Sequence, residues 1–349
     1  MAPKELAIDS IEQTLEQFPR TRFAHLPTPF ESMPRLTEAF GGPPLWVKRD
    51  DCTGLAVGGN KTRKLEFLVG AAIAEGAETL LSFGALQSNH VRQTAAAAAK
   101  VGLRCRLVLV DKVQYREPAY ETSGNVLLDD LLGADVHIVK NDAEAASVAR
   151  KLLDEEAAAG RGVYAIPTGG SNAVGALGYV DCAKEIVAQS RERGVAVRTV
   201  VTAVSSAGTQ AGLSAGFAAL GADVRVLGLN VYNEDFAEQE ETLRRLTMDV
   251  LASLGVEPAN PPHLEIRHEF LGEGYGIPNV GVVDAVRCAA ECEGLLLDPV
   301  YSGKAMAGLR AMIAAGEFGE VDSDAVVFLH TGGTPGLFAY RDALVASEV

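Results

Sequence analysis

The sequence predicts an α/β fold with open, mostly parallel sheets covered by helices on both faces. Apolar β-rich runs recur along the chain, and helix-like stretches separate them. That alternation, with Val, Leu and Ile in continuous runs, is the pattern of parallel strands buried on both sides. Length agrees: 349 residues make two domains or one large α/β domain. A composition of 48% hydrophobic and 22% charged residues excludes wholesale disorder.

Strands are expected at Thr79–Phe83, Cys105–Val110, Val136–Val139, Val163–Ile166, Thr199–Val204, Val224–Leu229 and Ala325–Leu329. Each is short, apolar and rich in branched residues. Helices are expected at Lys64–Glu75, His90–Val101, Ala143–Ala159, Ala176–Arg193 and Gly208–Leu220. The second holds the run Ala95–Ala99, which has high helix propensity and suits close packing. Residues 232–263 are more charged and read as a helical excursion over the surface. There is no fixed-period repeat and no Pro/Gly/Ser linker, so ordinary loops must cross any domain boundary.

Charge and cysteine content narrow the function. Against 46 acidic residues stand 31 basic ones, a net charge of −15. A nucleic-acid partner is disfavoured, because phosphate neutralisation needs a basic face. One Trp and 6% aromatic residues do not make stacking platforms for single strands. The five cysteines are scattered without a Cys-x-x-Cys; Cys288 and Cys292 lie four apart with no His pair nearby. Neither a disulfide framework nor a metal site is expected, and a reducing cytoplasm is. The first residues, Met1 to Glu5, lead into Asp9, Glu12 and Glu16 without an apolar core, so no signal peptide is expected. The charge-free stretch from Thr199 to Ala222 is long enough to span a bilayer. Its Gln210 and its Thr, Ser and Gly residues break it instead into strand, loop and helix, so no membrane partner is expected.

Four strand-to-helix junctions could carry chemistry, because ligands of open parallel sheets sit where strands end. The first is Gly58-Gly59-Asn60-Lys61-Thr62-Arg63-Lys64. The glycines permit close approach of something bulky, and Arg63 and Lys64 crowd two more cations beside Lys61. Such crowding would lower an amine pKa, as a Schiff-base lysine requires. The second junction is Gly84 to His90. Ser88 and Asn89 read as a helix N-cap, which alone would explain them, yet they could also meet a substrate carboxylate. The third, Ser205 to Gly212, offers small residues and a helix N-terminus to a phosphate. It is neither a Walker loop nor a dinucleotide fingerprint. The fourth is His330-Thr331-Gly332-Gly333. Tyr275 and Tyr301 lie in turn-rich loops, where a half-buried tyrosine is commonplace.

Together these loops resemble a family. The stretches Gly-Gly-Asn-Lys-Thr-Arg-Lys-Leu-Glu-Phe, Gln-Ser-Asn-His-Val-Arg-Gln-Thr-Ala, Gly-Gly-Ser-Asn-Ala-Val-Gly-Ala-Leu-Gly-Tyr, Ser-Ala-Gly-Thr-Gln-Ala-Gly-Leu, Leu-Leu-Leu-Asp-Pro-Val-Tyr-Ser-Gly-Lys and His-Thr-Gly-Gly occur in order from about Pro27 to Tyr340. They are similar to the pyridoxal-phosphate enzymes of the D-cysteine desulfhydrase and 1-aminocyclopropane-1-carboxylate deaminase family. The resemblance implies the tryptophan-synthase-β-like fold (fold type II). Residues 64–171 would form a smaller domain inserted into a larger one built from 1–63 and 172–349. It also implies a homodimer or a higher homo-oligomer. By motif position, Lys61 would carry pyridoxal 5'-phosphate and move protons at the substrate Cα. Ser205, Ser206, Ala207, Gly208 and Thr209 would cradle the phosphate, with Lys64 as a charge partner. Asn89 would hydrogen-bond the cofactor's ring oxygen. Ser88, with Asn89 and His90, would hold the substrate carboxylate. Tyr301 would stack on the pyridine ring, Tyr275 would reach the substrate, and Thr331 would face the pyridine nitrogen. Relatives commonly carry Gly where Ser205 stands, so a positive φ there would strain this loop.

The implied activity is elimination from a 3-substituted alanine, giving pyruvate and ammonia. The deaminase pattern places an acid at Ser302 and Leu at Thr331. Hydroxyls there are weaker partners for the pyridine nitrogen, which favours a desulfhydrase over the deaminase. Within that branch, D-cysteine desulfhydrase is the first reading and L-cysteate sulfo-lyase the alternative. A sulfonate would want an extra cation, with Arg63 and Arg92 as candidates, although both could simply face solvent or pair with local acids. A non-catalytic binding protein on the same fold is a further alternative, opposed by the intact Lys61 motif.

Overall fold

The computed structural model describes residues 7–115, 117–257, 260–318 and 324–345. Among these residues, ten strands form two sheets. They are β1 (Phe30–Ser32), β2 (Leu45–Lys48), β3 (Thr79–Ala85), β4 (Arg104–Val110), β5 (Asp135–Val139), β6 (Val163–Ile166), β7 (Val197–Val204), β8 (Arg225–Asn230), β9 (Glu265–Arg267) and β10 (Ala325–Leu329). The larger sheet runs β1-β2-β10-β7-β8-β9, and the smaller runs β5-β4-β3-β6. Only β1 is antiparallel to its neighbour. All the expected strands are present. Unforeseen are β1, β2 and β9, which have three or four residues each and too little sequence for a period to show.

The helices are α1 (Ile8–Leu15), α2 (Pro34–Phe40), α3 (Lys61–Ala74), α4 (Asn89–Val101), α5 (Pro118–Thr122), α6 (Asn125–Leu131) and α7 (Asp142–Ala158). After them come α8 (Ala173–Arg193), α9 (Gly208–Ala219), α10 (Phe236–Leu254), α11 (Val280–Glu293), α12 (Ser302–Ala314), α13 (Thr334–Ala339) and α14 (Arg341–Val345). The five expected helices form. Two begin three residues early: α3 at Lys61, and α8 at Ala173, where the Asn172 side chain caps it by accepting from Gly175 N–H. The charged excursion contains α10, although residues 258 and 259 of it lie outside the described residues, as does the N-terminal segment 1–6. The charge-free stretch divides between β7 and α9, and no helix among the described residues is long and apolar enough to cross a membrane.

The helices α3, α8 and α9 stack at backbone distance. A Cβ at Gly178 would meet the Arg63 carbonyl oxygen at 2.4 Å, and one at Gly212 would meet that of Ala176 at 2.2 Å. This contact fixes where α3 and α9 begin, and both N-termini open between the two sheets.

Beneath α3 lies a buried ion cluster. The Arg63 side chain is fully buried and donates to both carboxylate oxygens of Asp50 and both of Glu185. Lys48 Nζ reaches Glu185 at 2.6 Å, and the Tyr179 hydroxyl donates to Asp50 at 2.7 Å. Arg63 therefore points away from Lys61, into the body of the fold. It neither crowds the lysine nor reaches a substrate, contrary to both sequence expectations.

Candidate active site

The C-terminal ends of the parallel strands meet across the gap between the sheets, as open α/β sheets dictate. They enclose a cavity of about 440 Å³. Lys61, Lys64, Ser88, Asn89, His90, Tyr275, Tyr301, Thr331 and every residue from Ser205 to Thr209 line it. Residues far apart in the chain are thus brought to one place.

Lys61 is the first residue of α3, and its Nζ lies 3.0 Å from Asn60 Oδ1. Asn60 Nδ2 in turn donates to Thr209 Oγ1 at 3.0 Å, tying the lysine loop to α9. Burial pushes the Lys61 amine down to about 8, while the Asp298 charge pulls the other way. Desolvation, and not a crowd of cations, is therefore what prepares this amine.

The loop before α9 opens onto this cavity. No side chain caps α9, as none caps α3 beside it. The first turn of α9 lines the cavity with the positive end of the helix dipole behind it, while the Gly208 N–H turns back to the Ser206 carbonyl. Lys64 Nζ donates to Gly169 O and Ser171 Oγ, both at 3.1 Å, and a Cβ on Gly208 would lie 2.9 Å from it. Burial, reinforced by Lys61, holds the Lys64 amine well below its ordinary range. A buried amine with only neutral partners, beside an uncapped helix end, suits a phosphate dianion. The left-handed residue of this loop is Ala207, with φ 61°, and not Ser205. Serine at 205 therefore carries no strain, which corrects the sequence expectation.

On the opposite wall, Ser88 caps α4 and lines the cavity, so its two readings coexist. His90 Nε2 and Ser82 Oγ are 2.9 Å apart. Burial and the two lysines hold the His90 imidazole well below its usual range, so it is neutral. The hydroxyls of Tyr275 and Tyr301 meet at 2.5 Å. Burial raises both phenols, so they remain protonated donors.

Two further expectations need correction. Ser302 does not face the cavity. Its Oγ donates to Asp298 Oδ1 at 2.6 Å, and Asp298 also accepts from the N–H groups of Val300, Tyr301 and Ser302. Asp298 thus closes the α12 N-terminus and uses up the serine. Arg92 is buried under the lysine loop, donating to Asn125 Oδ1 and to the Ala56 and Gly58 carbonyls. Sequence reasoning missed Asn60, Asp298, and Lys112 with Tyr232 at the mouth. Asn60 and Asp298 stand inside motifs already noted; Lys112 and Tyr232 carry no local signal.

Comparison with known proteins follows this geometry. A family model described as pyridoxal-phosphate dependent enzyme matches residues 21–332. D-cysteine desulfhydrases of Salmonella typhimurium and Salmonella typhi are each 44% identical over 327 residues, covering 94% of this chain and 98% of theirs. A crystal structure described as an ACC deaminase homologue aligns with a TM-score of 0.86 at 36% identity, covering 96% of this chain and 98% of that one. Threonine deaminase isoform 2 from Solanum lycopersicum shares the fold, with a TM-score of 0.62 at 15% identity over 95% of this chain and 86% of that one. The fold is the tryptophan-synthase-β-like one, fold type II. An amine tuned by burial, facing a phosphate cradle across one cavity, fits the cofactor that the matched family carries, and the chain belongs to the pyridoxal-phosphate-dependent enzymes.

Proposed function

We propose that this protein is a D-cysteine desulfhydrase, converting D-cysteine and water to pyruvate, hydrogen sulfide and ammonia. The observation that carries the reading is Lys61, an amine lowered to about 8 and set in one cavity with the starts of α9 and α4. The 44% identity to D-cysteine desulfhydrases supports the choice of substrate. Pyridoxal phosphate, when bound, supplies the electron sink that makes the Cα proton acidic. Lys61 would carry the cofactor and move that proton. Ser205 to Thr209, with Lys64, would hold the phosphate. Asn89 would donate to the ring oxygen, Tyr301 would pack on the ring, and Thr331 would face its nitrogen. Ser88, Asn89 and the α4 N-terminus would hold the substrate carboxylate, with His90 beside them as a neutral imidazole. Tyr275 reaches the substrate with a hydroxyl already shared with Tyr301.

In this reading, 64–171 forms the inserted domain, carrying the smaller sheet, and two copies of the chain make a homodimer. A cytoplasmic setting suits five cysteines that are all free thiols. The test is pyruvate release from D-cysteine, L-cysteine, L-cysteate, β-chloro-D-alanine and 1-aminocyclopropane-1-carboxylate, side by side. D-cysteine is expected to lead, and the cyclopropane to give little 2-oxobutanoate. Faster turnover of the cyclopropane would overturn the assignment. A protein without visible absorbance and without turnover would point to a binding role instead.

One observation favours a second reading, L-cysteate sulfo-lyase. Lys112 lines the cavity, donates to the Tyr232 hydroxyl at 2.6 Å, and forms no ion pair among the described residues. It is the extra cation that a sulfonate would want. Under that reading, Lys112→Met lowers kcat/KM for L-cysteate roughly tenfold relative to β-chloro-D-alanine. Equal losses on both substrates would remove Lys112 from substrate choice.

The phosphate cradle has its own test. Thr209 Oγ1 accepts from Asn60, which leaves its proton free for the phosphate. Thr209→Val is expected to weaken cofactor binding by ~1.5–3 kcal/mol, the worth of a hydrogen bond to a charged group. Cofactor titration of the apoprotein measures it, and an unchanged Kd would place the phosphate elsewhere.

A further inference from the structure

We propose that Asn125 and Arg92 are positioning residues that fix which end of the Asn89 amide looks into the cavity, so that Asn89 always presents an N–H donor there. The inference rests on the cofactor reading given above and extends it to residues outside the cavity wall.

Arg92 can only donate. Its Nε lies 3.0 Å from one end of the Asn125 amide, so that end must be Oδ1. The other end, Nδ2, lies 3.1 Å from the Gln87 carbonyl, which can only accept. A guanidinium on one side and a carbonyl on the other leave Asn125 one orientation. Its second Nδ2 proton goes to Asn89 at 3.0 Å, so the Asn89 atom facing it must be Oδ1. The Asn89 Nδ2 is left for the cavity, which Asn89 lines. A donor is thereby dictated two residues away from the guanidinium that sets it.

Both members of the relay are themselves held. Asn125 is fully buried, and its backbone N–H donates to Gln87 Oε1 at 2.9 Å. Gln87 Nε2 donates to the Tyr120 and Ser123 carbonyls. Arg92 donates to the carbonyls of Ala56 and Gly58, in the loop leading to Lys61. Ala56 and Val57 in that loop have positive φ, an arrangement that needs such a clamp. One guanidinium therefore sets both the lysine loop and the amide that faces it. The partner that an invariant donor selects is an acceptor oxygen, best an ionised one. In the cofactor reading this is the ring hydroxyl oxygen in its phenolate form, which a donated hydrogen bond stabilises.

The test is Asn125→Asp in the holoenzyme. The shape is kept, but both ends now accept. One oxygen still takes the Arg92 proton, and the other turns Asn89 around, so that Asn89 Oδ1 faces the cavity. The readout is the pH midpoint of the visible band of the Lys61-bound cofactor, followed together with kcat and KM. The midpoint is expected to rise by about one to two pH units, the worth of one hydrogen bond to a charged group. The fall in kcat should exceed the change in KM. Asn125→Ala frees Asn89 to adopt either orientation, and its midpoint should rise by a smaller amount. If the aspartate variant does not fold, the alanine variant decides alone: a rise supports the relay and a wild-type midpoint overturns it. A folded Asn125→Asp holoenzyme with the wild-type midpoint overturns the relay while leaving the cofactor site standing. A wild-type protein with no visible band overturns the cofactor site, and the relay falls with it.

Discussion

Lys61→Ala is expected to lose pyruvate release by ~10²–10⁴-fold or more, because under the proposed function it removes the group that moves the Cα proton. Borohydride should fix the cofactor to the wild-type chain at Lys61 and leave the variant unlabelled. Peptide mapping after reduction reads this directly. The variant should still fold, since among the described residues the one hydrogen bond of Lys61 Nζ is to Asn60 Oδ1, at the first residue of α3. The lowered amine adds a pH dependence. Below about 8 the amine is protonated and cannot attack a carbonyl; above it, it is free. Uptake of pyridoxal phosphate by the apoprotein should therefore rise with pH and level off just above 8, well short of the usual lysine range. A variant that released pyruvate at the normal rate would remove Lys61 from the chemistry.

What the sequence disclosed and what it hid follow from the range of each interaction. Strand ends announce themselves locally: a continuous apolar run, then small and polar residues, then a helix start. The loops of Ser88, Ser205 and Thr331 have that form; the Lys61 loop, which follows the unforeseen β2, shows only its glycines and its helix start, and all four residues line the cavity. What those residues touch is not local. Asp50 and Glu185, which pair with Arg63, stand 13 and 122 positions from it. Nothing near Arg63 distinguishes a buried ion pair from a cation beside the site. Ser302 failed for the same kind of reason. Its place after Tyr301 suggested the cavity, but the Asp298 carboxylate folds back on the helix start and takes its hydroxyl. The relay through Asn125 depends on an amide orientation, which no pattern of residue types displays.

The buried cluster around Arg63 makes the second large prediction, this one on stability. Arg63→Met removes the counter-ion of Asp50 and Glu185 while keeping most of the side-chain volume. Asp50 is fully buried and Glu185 nearly so, and removing one partner of a buried pair leaves an uncompensated charge. The expected loss is about 3–5 kcal/mol. Lys48 and Tyr179 remain to soften it, since Lys48 still reaches Glu185 and Tyr179 still donates to Asp50. The pH dependence has a definite sign. In the native protein Arg63 holds the Asp50 carboxyl below its ordinary value despite burial. A depressed carboxyl stabilises the fold above its unfolded pKa, and that stability is lost as the pH falls through its folded value. In the variant, burial acts on Asp50 with less opposition, so its carboxyl should rise and take up a proton sooner. The stability gap between wild type and Arg63→Met is thus expected to be widest near neutral pH and to narrow as the pH falls. Adding Asp50→Asn to the variant should recover part of the loss, since the stranded charge is then gone. Urea unfolding of both apoproteins between pH 5 and 8 measures these differences. A single variant within 1 kcal/mol of wild type at neutral pH, or a gap that widened towards acid, would show that the cluster does not hold α3 in place.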